Sequence, residues 1–168
     1  LMPLQLAEPA ADEMIIKLTS SGVCHTDIGV QNIQPLPAVL GHEGCGIVEQ
    51  CGADVDAHKV GDLVGLSFGS CGSCPNCHKD LTSHCYNAMQ VNFSGLSPAG
   101  ATTLSMMDGT PVHGSFFYQS SFATHALVNQ RNAVVMPATA KHELIGPLGC
   151  GVQTGAGTII NTLKAESG

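Results

Sequence analysis

Short apolar runs, cut by glycine and proline, set the pattern of the chain. In "LMPLQLAEPAADEMIIKLTSSG" the positions 14–18 are β-branched and apolar, as a strand requires. "GIVEQCG", "DLVGLSF", "FATHALV" and "AVVMP" read the same way, with turn formers between them at Gly41, Gly52, Gly61, Gly69 and Pro137. These runs predict a strand-rich, mainly β architecture. Only the end departs from it: "IGPLGCGVQTGAGTIINTLKAESG" carries Ile159, Ile160 and Leu163 on a helical pattern, with Gly168 placed to stop the helix. Residues 92–115, "NFSGLSPAGATTLSMMDGTPVHGS", show no period and are expected to form a surface excursion near a functional mouth. No internal repeat or low-complexity linker is present, and 168 residues suit one folded unit, taken as a single domain over 1–168.

Charge changes this picture. Charged residues make up 11% of the chain, against roughly 25% in typical usage, so the surface is either unusually uncharged or partly covered by something else. Net charge is −7, and the six Lys and Arg are scattered singly, which leaves no basic patch for phosphates and argues against nucleic acid as a partner. No apolar run approaches the roughly 20 residues of a membrane span, and residues 1–8 lack the charged start and cleavage site of a signal peptide. A cytoplasmic address is expected. There thiols stay reduced, so clustered cysteines read as metal ligands rather than disulfides.

Eight cysteines fall into two groups. "CGSCPNCHKDLTSHC", residues 71–85, spaces Cys71, Cys74, Cys77 and Cys85 as C-x2-C-x2-C-x7-C, with Gly72, Pro75 and Asn76 letting the loop fold back on one point. A zinc held by four sulfurs is closed to water and substrate, so a structural role is expected; such sites contribute about 10–16 kcal/mol in small zinc peptides. Thiolates alone do not decide the metal, and an iron–sulfur cluster or a rubredoxin-like iron is the rival. The loop is polar, with no apolar periodicity that would bury four unrelated thiols. Elsewhere "GVCHTD" and "LGHEGCG" set Cys24, His42 and Glu43 beside glycines, and "GPLGCGVQTG" offers Cys150 in a similar setting. Two cysteines and a histidine form a catalytic zinc set with a fourth position open. Cys45 and Cys51 read as small buried hydrophobes, and His25, His58, His78, His84, His113, His125 and His142 as surface or core residues.

"GVCHTD", "GHEGCGIVEQCG", "VGDLV", "CGSCPNCHKDLTSHC" and "GPLGCGVQTGAG", in that order, resemble the zinc-dependent medium-chain alcohol dehydrogenases over essentially the whole chain. "FFYQSSFATHALV" together with "GPLGCGVQTGAG" is most similar to the benzyl or aryl-alcohol type. The resemblance implies a GroES-like, partly open β-barrel with a structural zinc lobe at 71–85 and a C-terminal helix. It implies two zincs per chain: one on Cys71, Cys74, Cys77 and Cys85, the other on Cys24, His42 and Cys150. It makes Thr26 the hydroxyl that takes the alcohol proton, Asp27 the partner that orients His42, and Glu43 an occasional ligand or electrostatic neighbour. His25 would face the cofactor phosphates and Thr154 the nicotinamide. The implied reaction oxidises a primary, aromatic-type alcohol to an aldehyde, with hydride passing to NAD or NADP; zinc favours it by lowering the pKa of a bound oxygen.

The family continues into a dinucleotide-binding domain, and no G-x-G-x-x-G stands here at a strand-to-helix turn; "GCGVQTGAG" has the wrong context. The expectation is therefore an isolated catalytic domain, inactive alone, whose partners are a small alcohol or aldehyde and a missing dinucleotide-binding domain; a homo-oligomer is compatible with this. Some family members end a proton relay on a histidine a few residues past the "CHTD" motif, whereas Ile28, Gly29 and Val30 offer none. A non-catalytic zinc-stabilised scaffold or binding module is the alternative, but a scaffold has no use for Cys24, His42, Cys150 and Thr26 together.

Overall fold

The longest strand explains most of the architecture. Glu13–Gly22 (β2) turns Met14 and Ile16 inward, both fully buried, and Lys17 outward. It pairs antiparallel with Glu43–Cys51 (β3) on one side and His125–Asn129 (β7) on the other. Two register shifts along the β2–β3 ladder, at Ile15/Ile16 and Leu18/Ser20, bend and twist the strands as bulges do. Leu63–Leu66 (β4) and Ala133–Val135 (β8) complete a five-stranded sheet in the order β7-β2-β3-β4-β8. Its inner face carries the core of Met14, Ile16, Val48, Val64, Leu66, Ala126, Val128 and Ala133. Cys45 is fully buried in a neighbouring cluster with Leu63 and Ile145, and Cys51 packs half-buried against the main core. The computed structural model describes residues 1–32 and 35–166.

The five strands of this sheet are the five that the apolar runs predict. The stretch 92–115, expected as an aperiodic surface excursion, carries two short strands: Leu104–Met106 (β5) and Pro111–Val112 (β6) pair there, and Leu4–Leu6 (β1) joins them in a three-stranded sheet, order β1-β5-β6. Strands of two and three residues are too short to display an alternation, so their sequence looks aperiodic. Every pairing between the named strands is antiparallel, and no strand–helix–strand unit of the dinucleotide-binding kind occurs among the described residues. This is a mainly β arrangement of two antiparallel sheets.

Helices are few and short: His25–Val30 (α1), Ala88–Phe93 (α2), His142–Ile145 (α3) and Gly151–Gly157 (α4). The last continues as a wider-turned helix through Thr158–Leu163, and Lys164 ends it in a left-handed conformation, φ 50°. Gly168, the expected stop, lies outside the described residues. None of the described helices is long and apolar enough to cross a membrane.

Candidate metal centres and active-site cleft

The four-cysteine lobe is built from turns rather than from a core. Gly72 (φ +71°) and Asp80 (φ 59°) reverse the chain, and two single 3-10 turns, Cys77–Lys79 and Thr82–His84, bring the sulfurs together. All four Sγ atoms lie within 4.8 Å of one another. The Cys71–Cys77 and Cys74–Cys77 sulfur separations are 3.9 and 3.5 Å. A tetrahedral zinc with Zn–S bonds of about 2.3 Å places its sulfurs about 3.8 Å apart, so the donor set fits that ion. Burial works against ionising Cys71, yet hydrogen bonds from the Ser73 backbone and hydroxyl, Asn87 and the Cys74 backbone outweigh it and hold the thiol at about 5. Burial pushes Cys85 up to about 11, although backbone N–H groups of Cys71 and Asn87 oppose it. The turns thus aim N–H donors at sulfur before any ion arrives. The lobe meets the rest of the chain where Gly72 packs on Arg131, in the turn between β7 and β8; a Cβ on Gly72 would sit 2.9 Å from the guanidinium carbon.

The second group is assembled from three distant segments. Cys24 is the N-cap of α1, in extended conformation, and its N–H donates to Asp27 Oδ2 at 2.9 Å. The other Asp27 oxygen accepts from the Gly41 N–H and contacts His42 Nδ1, each at 3.0 Å. Gly41 has φ +94°, and a Cβ there would lie 2.5 Å from the Phe122 nitrogen, so only glycine lets this segment approach. With a carboxylate on Nδ1, the proton belongs on that nitrogen and Nε2 presents its lone pair. His42 Nε2 faces Cys150 Sγ at 3.3 Å, and Cys150 Sγ lies 3.8 Å from Cys24 Sγ. The His42 ring is 1% exposed, stacked on Phe117 (centroids 4.4 Å apart) and met edge-on by Phe116 (5.6 Å).

Cys150 arrives at the end of the turn Gly146–Gly149, which presses against β3 and β4. Side chains on Gly146 or Gly149 would collide with the Glu43 and Leu66 carbonyls, so the glycines of "GPLGCG" are what let Cys150 reach His42. Glu43 is buried below the thiols, its carboxylate against Gly22. Donor atoms of Cys24, His42, Glu43 and Cys150 all lie within 4.8 Å of one another. Burial, then Cys24, then Glu43 push the Cys150 thiol up to about 12, so a thiolate there needs a cation to offset the negative charge converging on it. The sulfur–sulfur distance is the edge expected of a zinc tetrahedron, and the donor types are those zinc takes.

A cleft of about 260 Å³ opens beside Cys150, walled by Phe68, Met89, Phe93 and Phe117 and reached by Thr154. Thr26 Oγ1 stands 3.6 Å from Cys24 Sγ. Thr154, on α4, donates its N–H to the Cys150 carbonyl at 3.0 Å, one turn away. His25 is exposed at the start of α1.

The alcohol dehydrogenase GroES-like domain profile matches residues 10–138. The chain belongs to that family. It is 46% identical to the geraniol dehydrogenase of Castellaniella defragrans over 168 residues, covering 99% of this chain and 45% of the relative. Its fold superposes on a zinc-binding alcohol dehydrogenase domain protein from Burkholderia ambifaria with a TM-score of 0.95 and 44% identity, over 99% of this chain and 46% of the other. The benzyl alcohol dehydrogenase of Acinetobacter calcoaceticus gives 0.87 and 45%, over 96% and 44%. The chain thus spans a little under half the length of these alcohol dehydrogenases.

Within this GroES-like domain, the structure brings Cys24, Thr26, Asp27, His42, Glu43 and Cys150 to one place and Thr154 to the rim of the cleft, with His25 beside them in sequence but directed to the surface. Sequence reasoning misses Phe117, which stacks on His42, and Gln119, which is fully buried and bonded to the His42 carbonyl. The signal was a polar "QSS" inside an otherwise apolar stretch, since buried polar side chains need partners.

Proposed function

We propose that this chain is the zinc-holding, substrate-facing part of an oxidoreductase that converts primary allylic or benzylic alcohols to aldehydes, with hydride passing to a nicotinamide cofactor. The observation that carries the proposal is the convergence of Cys24, His42, Glu43 and Cys150 within 4.8 Å at the edge of an apolar cleft. Cys24, His42 and Cys150 would hold one zinc, with Glu43 as a neighbour able to exchange in, and Cys71, Cys74, Cys77 and Cys85 a second, structural one. Bound there, zinc supplies Lewis-acid activation of the alcohol hydroxyl. The chain's own residues do the rest. Thr26 accepts the hydroxyl proton and passes it outward. Asp27 keeps His42 in the ligating tautomer. Phe68, Phe93, Phe117 and Met89 exclude water and hold a flat, unsaturated carbon skeleton, in keeping with the geraniol and benzyl alcohol in the relatives' names. His25 and Thr154 would face a cofactor carried by a separate dinucleotide-binding part, which would also cover apolar surface on the C-terminal helix. A reducing, cytoplasmic setting suits eight free thiols.

The test joins the zinc-loaded chain to a dinucleotide-binding domain and follows cofactor reduction by absorbance with geraniol, benzyl alcohol and ethanol. The first two are expected to be preferred, and Thr26→Ala should lower turnover about 10²–10⁴-fold with zinc content unchanged. A purified chain with only the four-cysteine metal would overturn the reading, and unchanged turnover in Thr26→Ala would overturn the proton route.

A further inference from the structure

Gln119 is fully buried, 0% exposed, and uses both ends of its amide. Oε1 accepts from the Gly44 N–H at 3.0 Å, and Nε2 donates to the His42 carbonyl at 2.9 Å and the Ser67 carbonyl at 3.1 Å. The neighbouring backbone continues the same contact: Ser121 N–H donates to the Gly41 carbonyl and Phe122 N–H to the Leu40 carbonyl, each at 2.9 Å. The segment 119–122 is therefore bonded to 40–44 along its length, by backbone at Leu40 and Gly41 and by the Gln119 side chain at His42 and Gly44. Beyond Gly65, β4 no longer pairs with β3, and the Gln119 Nε2 bond to the Ser67 carbonyl ties the chain just past β4 to this segment.

The segment is held under strain. Phe117, Tyr118 and Ser120 all have positive φ (51°, 57° and 49°), in a stretch of four residues around Gln119. Left-handed non-glycine residues are costly and persist only where surroundings over-determine them. What this conformation achieves is the placement of the Phe117 ring on the His42 imidazole, 4.4 Å between centroids and 24° from parallel. Asp27 fixes His42 from the ring's far nitrogen; Gln119 fixes its backbone, and through Phe117 the face of its ring.

We infer that Gln119 is a positioning residue for the Cys24–His42–Cys150 metal centre: it clamps the His42 backbone and the strained Phe117 turn so that Nε2 meets the ion. This rests on reading those three residues as a metal site. The tests are metal release and cobalt spectroscopy on Gln119→Met, which removes all three hydrogen bonds at similar volume, and Gln119→Glu, which keeps the acceptor but sets a carboxylate against two carbonyls. Chelator competition should show metal held about 10–100-fold more weakly at this centre and unchanged at the four cysteines. Cobalt absorption from this centre should shift, while a core variant of equal thermal stability, Val48→Ala, should leave both readouts untouched. Unchanged affinity and spectrum in folded variants overturn the inference; a wild-type chain that takes up only one metal overturns the underlying site reading instead. A measurement without variants covers the case in which neither folds. Coupling is reciprocal, so filling the centre must slow exchange of the Gln119 side-chain amide protons with solvent. Equal exchange rates with the centre filled and emptied would likewise overturn it.

Discussion

A carboxylate that is 4% exposed persists only when its oxygens are fully used, and Asp27 meets that condition with three partners drawn from two segments. It caps α1, ties down the Gly41 turn and orients His42, so local folding and metal geometry share one side chain. Asp27→Ala should leave the Cys24 and Gly41 N–H groups and His42 Nδ1 unpaired. The expected loss is about 1–3 kcal/mol in thermal unfolding. Zinc affinity at the Cys24 centre should fall about 10–100-fold, with the four-cysteine site unaffected in chelator competition. Equal weakening of both sites would mean that Asp27 acts on the fold alone. Asp27 was reached through the family resemblance that the local motif "CHTD" carries. Gln119 was not, because its partners lie 52 to 77 residues distant and nothing near it in sequence shows them.

The same distinction separates the elements. The convergence of the four thiols at 71–85 was legible, since all four sit on one short loop, and the strands of the five-stranded sheet were legible because β2 and β3 are long enough to show their apolar faces. The three-stranded sheet was not: β5 and β6 are too short to show an apolar face, and β1 joins them only across about a hundred residues. These elements should also fail differently. In the lobe, Cys74, Cys77 and Cys85 are buried chiefly against one another, with Cys71 and Ala88 beside them, so without an ion little holds it closed. Small zinc peptides gain about 10–16 kcal/mol from such a site, which is as large as the roughly 5–15 kcal/mol stability of a whole domain. Cys77→Ser should therefore remove one metal and lower the unfolding temperature substantially. Cys150→Ser should also remove one metal, but with a milder loss, because the turn that carries Cys150 is held by packing against β3 and β4. Metal content and thermal unfolding of both variants check this, and equal unfolding would contradict the division into a structural and a catalytic site.

At the scale of the molecule, the low charge seen in the sequence acquires a location. Val152, Ile159, Ile160 and Leu163 stand 49–66% exposed on the C-terminal helix, and Leu144 and Leu148 continue the apolar surface towards Cys150. The chain also covers a little under half of each relative's length. Among the described residues no glycine turn joins a parallel strand to a helix N-terminus, the arrangement that grips a dinucleotide pyrophosphate. Hydride transfer needs the nicotinamide carbon held close to, and aligned with, the reacting carbon of the alcohol, and such positioning supplies about 7–11 kcal/mol of the barrier. On the proposed reading these residues would supply a metal centre, a relay hydroxyl and one wall of a cleft, which would fix the alcohol but not the cofactor. The 168-residue chain, loaded with zinc and mixed with NAD and either benzyl alcohol or ethanol, is therefore expected to show no steady reduction of the cofactor by absorbance. Turnover that persists, and that disappears in Cys150→Ser, would show that the metal half alone can align both reactants.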